Sequence, residues 1–342
     1  MPTPRLSSTL AVATAVLAAL AAGAAGARDN VQVTGSSTVY PFATTVAEAL
    51  GKGGKFKTPV VESTGTGGGF KLFCSGVSAE TPDINDASRA ISDSERELCK
   101  KNGVTDIAEV KIGYDGIILA GDAKQPGFNV TREQIWRAVA KTVPVGGKWV
   151  ANPYKNWSDI DPKLPKRALA IFGPAPNHGT RDAFRELVMD PACEKTPEAA
   201  ALPADDRKKT CGQVREDGVW TDVSEDYALV MGKLKGNPTA VAVFTYSYLE
   251  QNRDKIRAAT VDGVAASLET IADAKYPISR PLFIYVKQAH IGLIPGLAEF
   301  VTEFVSDKAA GQDGYLVDKG LIPMPKKELE AQRAAVRALV KK

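Results

Sequence analysis

Short apolar runs alternate with longer stretches of helical spacing along almost the whole chain. Val31-Gln32-Val33, Val60-Val61-Glu62, Asp83 to Ala87, Leu169 to Phe172, Thr239 to Phe244 and Pro281 to Val286 read as strands. Between them lie predicted helices: Pro41 to Leu50, Arg181 to Met189, Ser224 to Leu234 with Tyr227, Val230, Met231 and Leu234 inward, and a stripe from Leu297 to Val305. Ser92 with Glu95 and Thr131 with Gln134 are capping boxes that open two more, the first reaching Cys99 and the second burying Ile135, Trp136 and Val139. Gly236-Asn237-Pro238 is a helix stop, and Lys326 to Lys341 a charged C-terminal helix. Lys111 to Ala120 is a strand with a polar break at Asp115-Gly116, the expected place for a hinge or bulge. Pro144 to Pro165 is rich in Pro and Gly and reads as loop, anchored by Trp149, Tyr154 and Trp157. Such alternation defines the α/β class.

Three turns stand out because each follows a strand and opens a helix, where open α/β sheets place ligands. In the first, Gly35-Ser36-Ser37-Thr38-Val39-Tyr40-Pro41, Pro41 suits the first helical position and the Ser37 and Thr38 hydroxyls lie at the helix entrance. The plain alternative is an N-cap. The second is Ser63-Thr64-Gly65-Thr66-Gly67-Gly68-Gly69-Phe70-Lys71, whose glycines allow close backbone approach to a ligand, or simply a flexible loop. It is not a Walker A loop, because Phe70 precedes Lys71 and Leu72 follows it, and it is not Gly-x-Gly-x-x-Gly. The third runs from Gly173 through His178-Gly179-Thr180-Arg181 to Phe184. Free N–H groups at a helix start carry partial positive charge and suit an oxyanion, and a guanidinium grips oxygens in pairs. Ser88-Arg89, after the Asp83 to Ala87 run, adds a hydroxyl and a guanidinium; the rival reading is a surface turn with a solvated Arg.

Composition and the N-terminus narrow the class. The 342 residues are 44% hydrophobic and 24% charged, ordinary for a globular chain with a sizeable core. The net charge of +3 falls to +2 once Arg5 is lost with residues 1–27, which argues against nucleic acid as the main partner. Arg5, the apolar run Leu10 to Ala22 and Ala25-Gly26-Ala27 form a charged n-region, a short h-region and an Ala-x-Ala cleavage site, so an exported, soluble protein cut after about Ala27 is expected. In that compartment two local disulfides, Cys74–Cys99 and Cys193–Cys211, are the default pairing. A zinc site is the rival, disfavoured because no Cys-x-x-Cys occurs and the two histidines are distant in sequence. No metal or other cofactor is expected.

Gly35 to Pro41, Ser63 to Phe70, Ala87-Ser88-Arg89 and Gly179-Thr180-Arg181-Asp182-Ala183-Phe184, in that order and spacing, resemble the periplasmic phosphate-binding proteins that serve the phosphate-specific ABC importer. Gly113-Tyr114-Asp115-Gly116, Tyr276-Pro277-Ile278-Ser279-Arg280-Pro281, Gly314-Tyr315-Leu316 and Gly320-Leu321-Ile322-Pro323 add weaker support, and the match runs from about Val31 to about Pro325. The resemblance implies a two-lobed periplasmic-binding-protein fold of type II: lobe 1 from residues 28–115 and 282–342, lobe 2 from 116–281. A monomer would capture inorganic phosphate in the cleft and hand it to membrane permease subunits. By motif position, Ser37, Thr38 and Val39 would meet the anion at the first turn, Thr66 at the second, Ser88 and Arg89 after the third strand, and His178, Gly179, Thr180 and Arg181 from the other lobe.

Two positions depart from the pattern. Where Arg89 stands, many relatives carry an Asp that accepts a hydrogen bond from protonated phosphate and so rejects sulfate. Arg89 replaces that acceptor with a cation, which leaves selectivity open, with Asp115 a candidate acceptor. His178 stands where relatives usually have Ser; an imidazole ordinarily titrates near about pH 6.5, so a His178 that reached the anion would make affinity rise as pH falls toward about 6. The alternatives are a binding protein for another tetrahedral oxyanion or a phosphate ester, and a secreted phosphatase. The last is disfavoured: the chain has only two histidines and neither a Gly-x-Ser-x-Gly elbow nor a metal-ligand cluster. Whether Arg280 and Arg215 face the cleft is open from sequence.

Overall fold

The computed structural model describes residues 28–176, 178–223 and 227–341. The expected signal peptide, its cleavage after Ala27, and the Ser224 start of one predicted helix lie outside these described residues.

A 16-residue strand, Ile107–Asp122, is the axis of the molecule. Its first half pairs antiparallel with the return strand Ser279–Lys287, from Ile107 opposite Lys287 to Gly116 opposite Ser279. Its second half pairs antiparallel with Val241–Thr245, from Ile117 opposite Thr245 to Gly121 opposite Val241. The partner therefore changes between Gly116 and Ile117. Beyond the return strand the sheet continues through Ile84–Ala87, Gln32–Gly35 and Val60–Ser63; beyond Val241–Thr245 it continues through Ile171–Pro174 and Trp220–Val223. The Val110, Ile112 and Ile117 to Ala120 side chains are buried, as expected where helices cover a sheet on both faces.

The C-terminal segment closes on the first lobe. Tyr114 and Ile322 exchange backbone hydrogen bonds at 2.9 and 3.0 Å. Glu328 of the last helix, Lys326–Val340, accepts from Lys111 Nζ and from Tyr114 Oη, each at 2.7 Å.

Both expected disulfides are present. Cys74–Cys99 ties the end of the Thr66–Phe73 helix to the Asp93–Lys101 helix, and Cys193–Cys211 closes a helical excursion of the second lobe. Both capping boxes form, on Ser92 and on Thr131. Among the described residues no helix is long and apolar enough to cross a membrane.

Three expectations are corrected. The polar break at Asp115-Gly116 does not interrupt its strand and is not a bulge; the bulge lies opposite Leu282 and Phe283, where Ile112 is the extra residue. The stretch from Pro144 to Pro165 is not all loop. Thr142–Val145 and Lys148–Ala151 form a hairpin, and the connecting Gly146 and Gly147 take the positive φ of 58° and 77° that such two-residue turns need. Finally, the flexible-loop alternative for the second turn fails: Gly65 is the N-cap, with φ 74°, and Gly67, Gly68 and Gly69 lie in the helix Thr66–Phe73.

Candidate functional site

The three strand-to-helix turns end at the seam between the lobes. Gln32–Gly35 runs into the first turn, and the helix Tyr40–Lys52 follows with Pro41 in its first turn. No side chain caps that helix. The cap reading of Ser37 and Thr38 therefore fails, and both hydroxyls are used elsewhere. Ser37 Oγ donates to Asp182 Oδ2 at 2.6 Å, across to the helix Gly179–Phe184 of the second lobe. Thr38 Oγ1 accepts from Arg280 Nη2 at 3.0 Å. The Thr38 amide, expected to point at a ligand, instead lies 3.2 Å from Ser36 Oγ. Val39, expected to offer a second amide, is buried and holds the N-cap position.

The second turn and the Ser88-Arg89 signal meet each other. Thr66 Oγ1 and Ser88 Oγ lie 3.2 Å apart, and the Ser88 amide donates to Thr66 Oγ1 at 3.2 Å. Close packing beneath them explains Gly69. A Cβ there would lie 2.0 Å from Asn85 Oδ1 and 2.6 Å from Gly35 Cα. Neither carboxylate oxygen of the neighbouring Asp86 has a hydrogen-bond partner among the described residues. Burial pushes this carboxyl well above the usual range.

From the opposite lobe, His178, Gly179 and Thr180 line a cleft of about 600 Å³ with Ser37, Thr38 and Asp115. Gly179 packs so tightly that a Cβ would sit 2.9 Å from Ser37 O. Thr66, Ser88 and Arg89 line a neighbouring cleft of about 1020 Å³, together with Lys71, Glu186 and Arg280. The expected single pocket is thus two adjoining clefts, with the Arg280–Thr38 contact between them.

The arginines are where sequence and structure part most clearly. Arg181 does not line either cleft. Its Nη1 donates to Pro174 O at 2.8 Å and to Asp222 Oδ1 at 3.0 Å, and its guanidinium lies 5.0 Å over the Trp220 ring. Arg89 lines the larger cleft, but both terminal nitrogens are forked onto Glu95 at 2.8 and 2.7 Å. Arg215 is buried in the second lobe, on Tyr154 O at 2.9 Å and on Asp217.

Arg280, whose direction sequence left open, is the cation at the seam. It sits opposite Asp115 in the strand pair and makes an ion pair with it at 3.4 Å, while Nη1 donates to Glu186. Burial raises the Asp115 carboxyl and the Arg280 charge pulls it back. Asp182 and Glu186 were not singled out as site residues either. The sequence signals for Arg280 are its place in the weaker Tyr276 to Pro281 match and beside the expected crossing; its pairing with Asp115 is a finding of the fold. Among the described residues no cluster of His, Cys, Asp and Glu could hold a metal ion.

Two α/β lobes sharing one long strand, with hydroxyls and a guanidinium gathered at the seam, define a solute-binding protein of the two-lobed class. Residues 20–308 match the PBP superfamily domain, and the chain belongs to that family. Its relatives are phosphate-binding proteins of the PstS type. The phosphate-binding protein PstS of Staphylococcus saprophyticus is 29% identical over 96% of this chain and 94% of the relative. SphX of Synechocystis is 29% identical over 86% of this chain and 79% of the relative. Among solved structures, one described as "a possible phosphate binding protein" from Planctomyces limnophilus superposes with a TM-score of 0.72 at 25% identity, covering 91% of this chain and 98% of that one.

Proposed function

We propose that the chain is an extracytoplasmic solute-binding protein that captures inorganic phosphate and delivers it to the permease of an ABC importer. The observation that supports this reading is the placing of Ser37, Thr38, His178, Gly179 and Thr180 on one cleft and of Thr66, Ser88 and Arg280 on its neighbour, the two meeting at the Arg280–Thr38 contact. The full-length similarity to PstS proteins supports it. Hydroxyls and charge-assisted donors hold a phosphate oxyanion strongly once water is excluded, and closing two lobes excludes it. The change of strand partner at Gly116 and Ile117, with the return at Ser279, supports a hinge near those residues, so lobe 1 comprises residues 28–115 and 282–342 and lobe 2 the segment between.

In this reading the chain works as a monomer, is exported by residues 1–27 with cleavage after Ala27, functions in the periplasm and catalyses no reaction. Asp115, buried at the seam, is the candidate acceptor for a protonated oxyanion in place of the Asp that Arg89 replaces.

A second reading, a phosphate ester as ligand, is favoured by one feature: the cleft beside Arg280 measures about 1020 Å³ and carries Lys71 and Lys208 as well. Titration of the purified chain with inorganic phosphate, followed by tryptophan fluorescence and repeated against sulfate, arsenate and a small phosphate monoester, tests both readings. Saturable binding that inorganic phosphate wins supports the first, and preference for the monoester supports the second. No binding of any of them overturns both. Absence of turnover with a chromogenic phosphate ester is the expected result for a protein that only binds.

A further inference from the structure

Three arginines lie on the turns or the crossing strand, and two of them are turned to partners within their own lobe. Arg89 spends its fork on both oxygens of Glu95, and Arg181 spends its Nη1 on Pro174 O and Asp222. Arg280 differs. Its side chain is 10% exposed, and it reaches the first turn through Thr38, the long strand through Asp115 and the second lobe through Glu186. Its Nε is buried, and although Asp115 Oδ2 is 3.4 Å away, the pair is not aligned as a hydrogen bond.

The two carboxylates on Arg280 are unequal. Asp115 is 9% exposed and fixed in the strand, whereas Glu186 is 50% exposed and sits in the π-helical turn Arg185–Met189. With both ionised, one guanidinium faces two negative charges, and an entering anion would be repelled. Glu186 can swing into water at little cost; Asp115 cannot. A π-turn, moreover, is a common feature of functional segments.

We propose that Arg280 is the cation that binds the oxyanion, and that Glu186 is a built-in competitor for it. In the unliganded protein Glu186 holds the Nη1 edge of Arg280; the ligand displaces Glu186 and takes that edge, while Asp115 stays and fixes the guanidinium. The inference rests on the proposed function and adds to it a specific cation and a specific carboxylate that sets affinity.

The test is calorimetric titration of the full chain with inorganic phosphate, using wild type, Glu186→Gln, Arg280→Gln, Arg280→Lys and the double variant Glu186→Gln/Arg280→Gln, with melting curves for each. Glu186→Gln is expected to bind about 5-fold tighter, the scale of an exposed ion pair. Arg280→Gln is expected to weaken binding by about 100-fold, the scale of losing one partner of a buried charge pair. In the double variant the gain from Glu186→Gln should vanish. Arg280→Lys keeps the charge without the fork; if Arg280→Gln does not fold, a folded Arg280→Lys that binds weaker than wild type carries the same conclusion. Unchanged or weaker binding by Glu186→Gln overturns the competitor role, and wild-type affinity in a folded Arg280 variant overturns the cation role. A wild-type chain that takes up no phosphate overturns the proposed function and this inference with it, whereas wild-type binding with unchanged variants overturns this inference alone.

Discussion

The turns Gly35 to Tyr40 and Ser63 to Lys71 have one plan, a strand, small polar residues and a helix, yet they use their hydroxyls oppositely. In the first, Ser37 reaches Asp182 of the other lobe and Thr38 meets Arg280 at the seam. In the second, Thr66 and Ser88 bond to each other, and Thr64 Oγ1 lies 2.8 Å from Thr34 Oγ1, all within the first lobe. The second turn's helix is also cross-linked through Cys74, its C-cap. One turn is a contact between lobes and the other is part of one lobe's frame. Similar local patterns thus divide into an interlobe contact and a wall within one lobe, according to what stands opposite.

The strongest test of that contrast is at the glycines of the fixed turn. Gly69→Ala would place a methyl 2.0 Å from Asn85 Oδ1, and we expect a loss of about 3 kcal/mol in urea unfolding. Gly67→Ala, whose nearest neighbour would be 3.5 Å away, should stay within about 0.5 kcal/mol of wild type. Equal losses at both positions would contradict the packing account.

Next comes Asp86, buried between the two turns with both oxygens unpartnered among the described residues. Its folded pKa is raised from 3.8, so the folded state favours the protonated form. Stability from this group is present below the unfolded value and is lost as pH rises from about 4 toward the raised folded value. Asp86→Asn should therefore be more stable than wild type at pH 8 by about 2 kcal/mol, with the advantage fading near pH 4. Chemical unfolding at the two pH values reads it, and an advantage that does not change with pH would refute the assignment.

At the interlobe contact, Gly179→Ala should leave melting almost unchanged, yet weaken phosphate binding about tenfold, because its methyl would meet Ser37 O of the other lobe. The smallest effects sharpen the contrast. Ser37→Ala removes the bond to Asp182 and should change binding, whereas Thr66→Ala removes a bond inside one lobe and should lower stability, each by about 1 kcal/mol. Paired melting and titration data check both, and a reversed assignment would dissolve the distinction.

Much of this molecule was legible in the linear chain because local rules decided it. The capping boxes at Ser92 and Thr131, Pro41 in the first turn of its helix and the Leu297 to Val305 stripe form as their spacing dictates. The order of turns that marks the family was legible too. The hairpin on Gly146-Gly147 was hidden because its strands are short and one contains Pro144, so breaker residues outweighed the weak alternation.

Side-chain direction was a different matter. Arg181 follows Gly-Thr in the third turn, but Asp222 and Trp220, some forty residues later in the chain, draw it away from the cleft. Arg89 is drawn to Glu95 of the next helix. Arg280 owes its position to a strand pairing that sets it opposite Asp115, more than one hundred and fifty residues earlier. The sequence by itself determined the elements, the turns and the donors on offer, since these follow from neighbours along the backbone. Only the tertiary structure decided which arginine serves the seam, because a guanidinium goes to whichever buried oxygens the fold brings within reach.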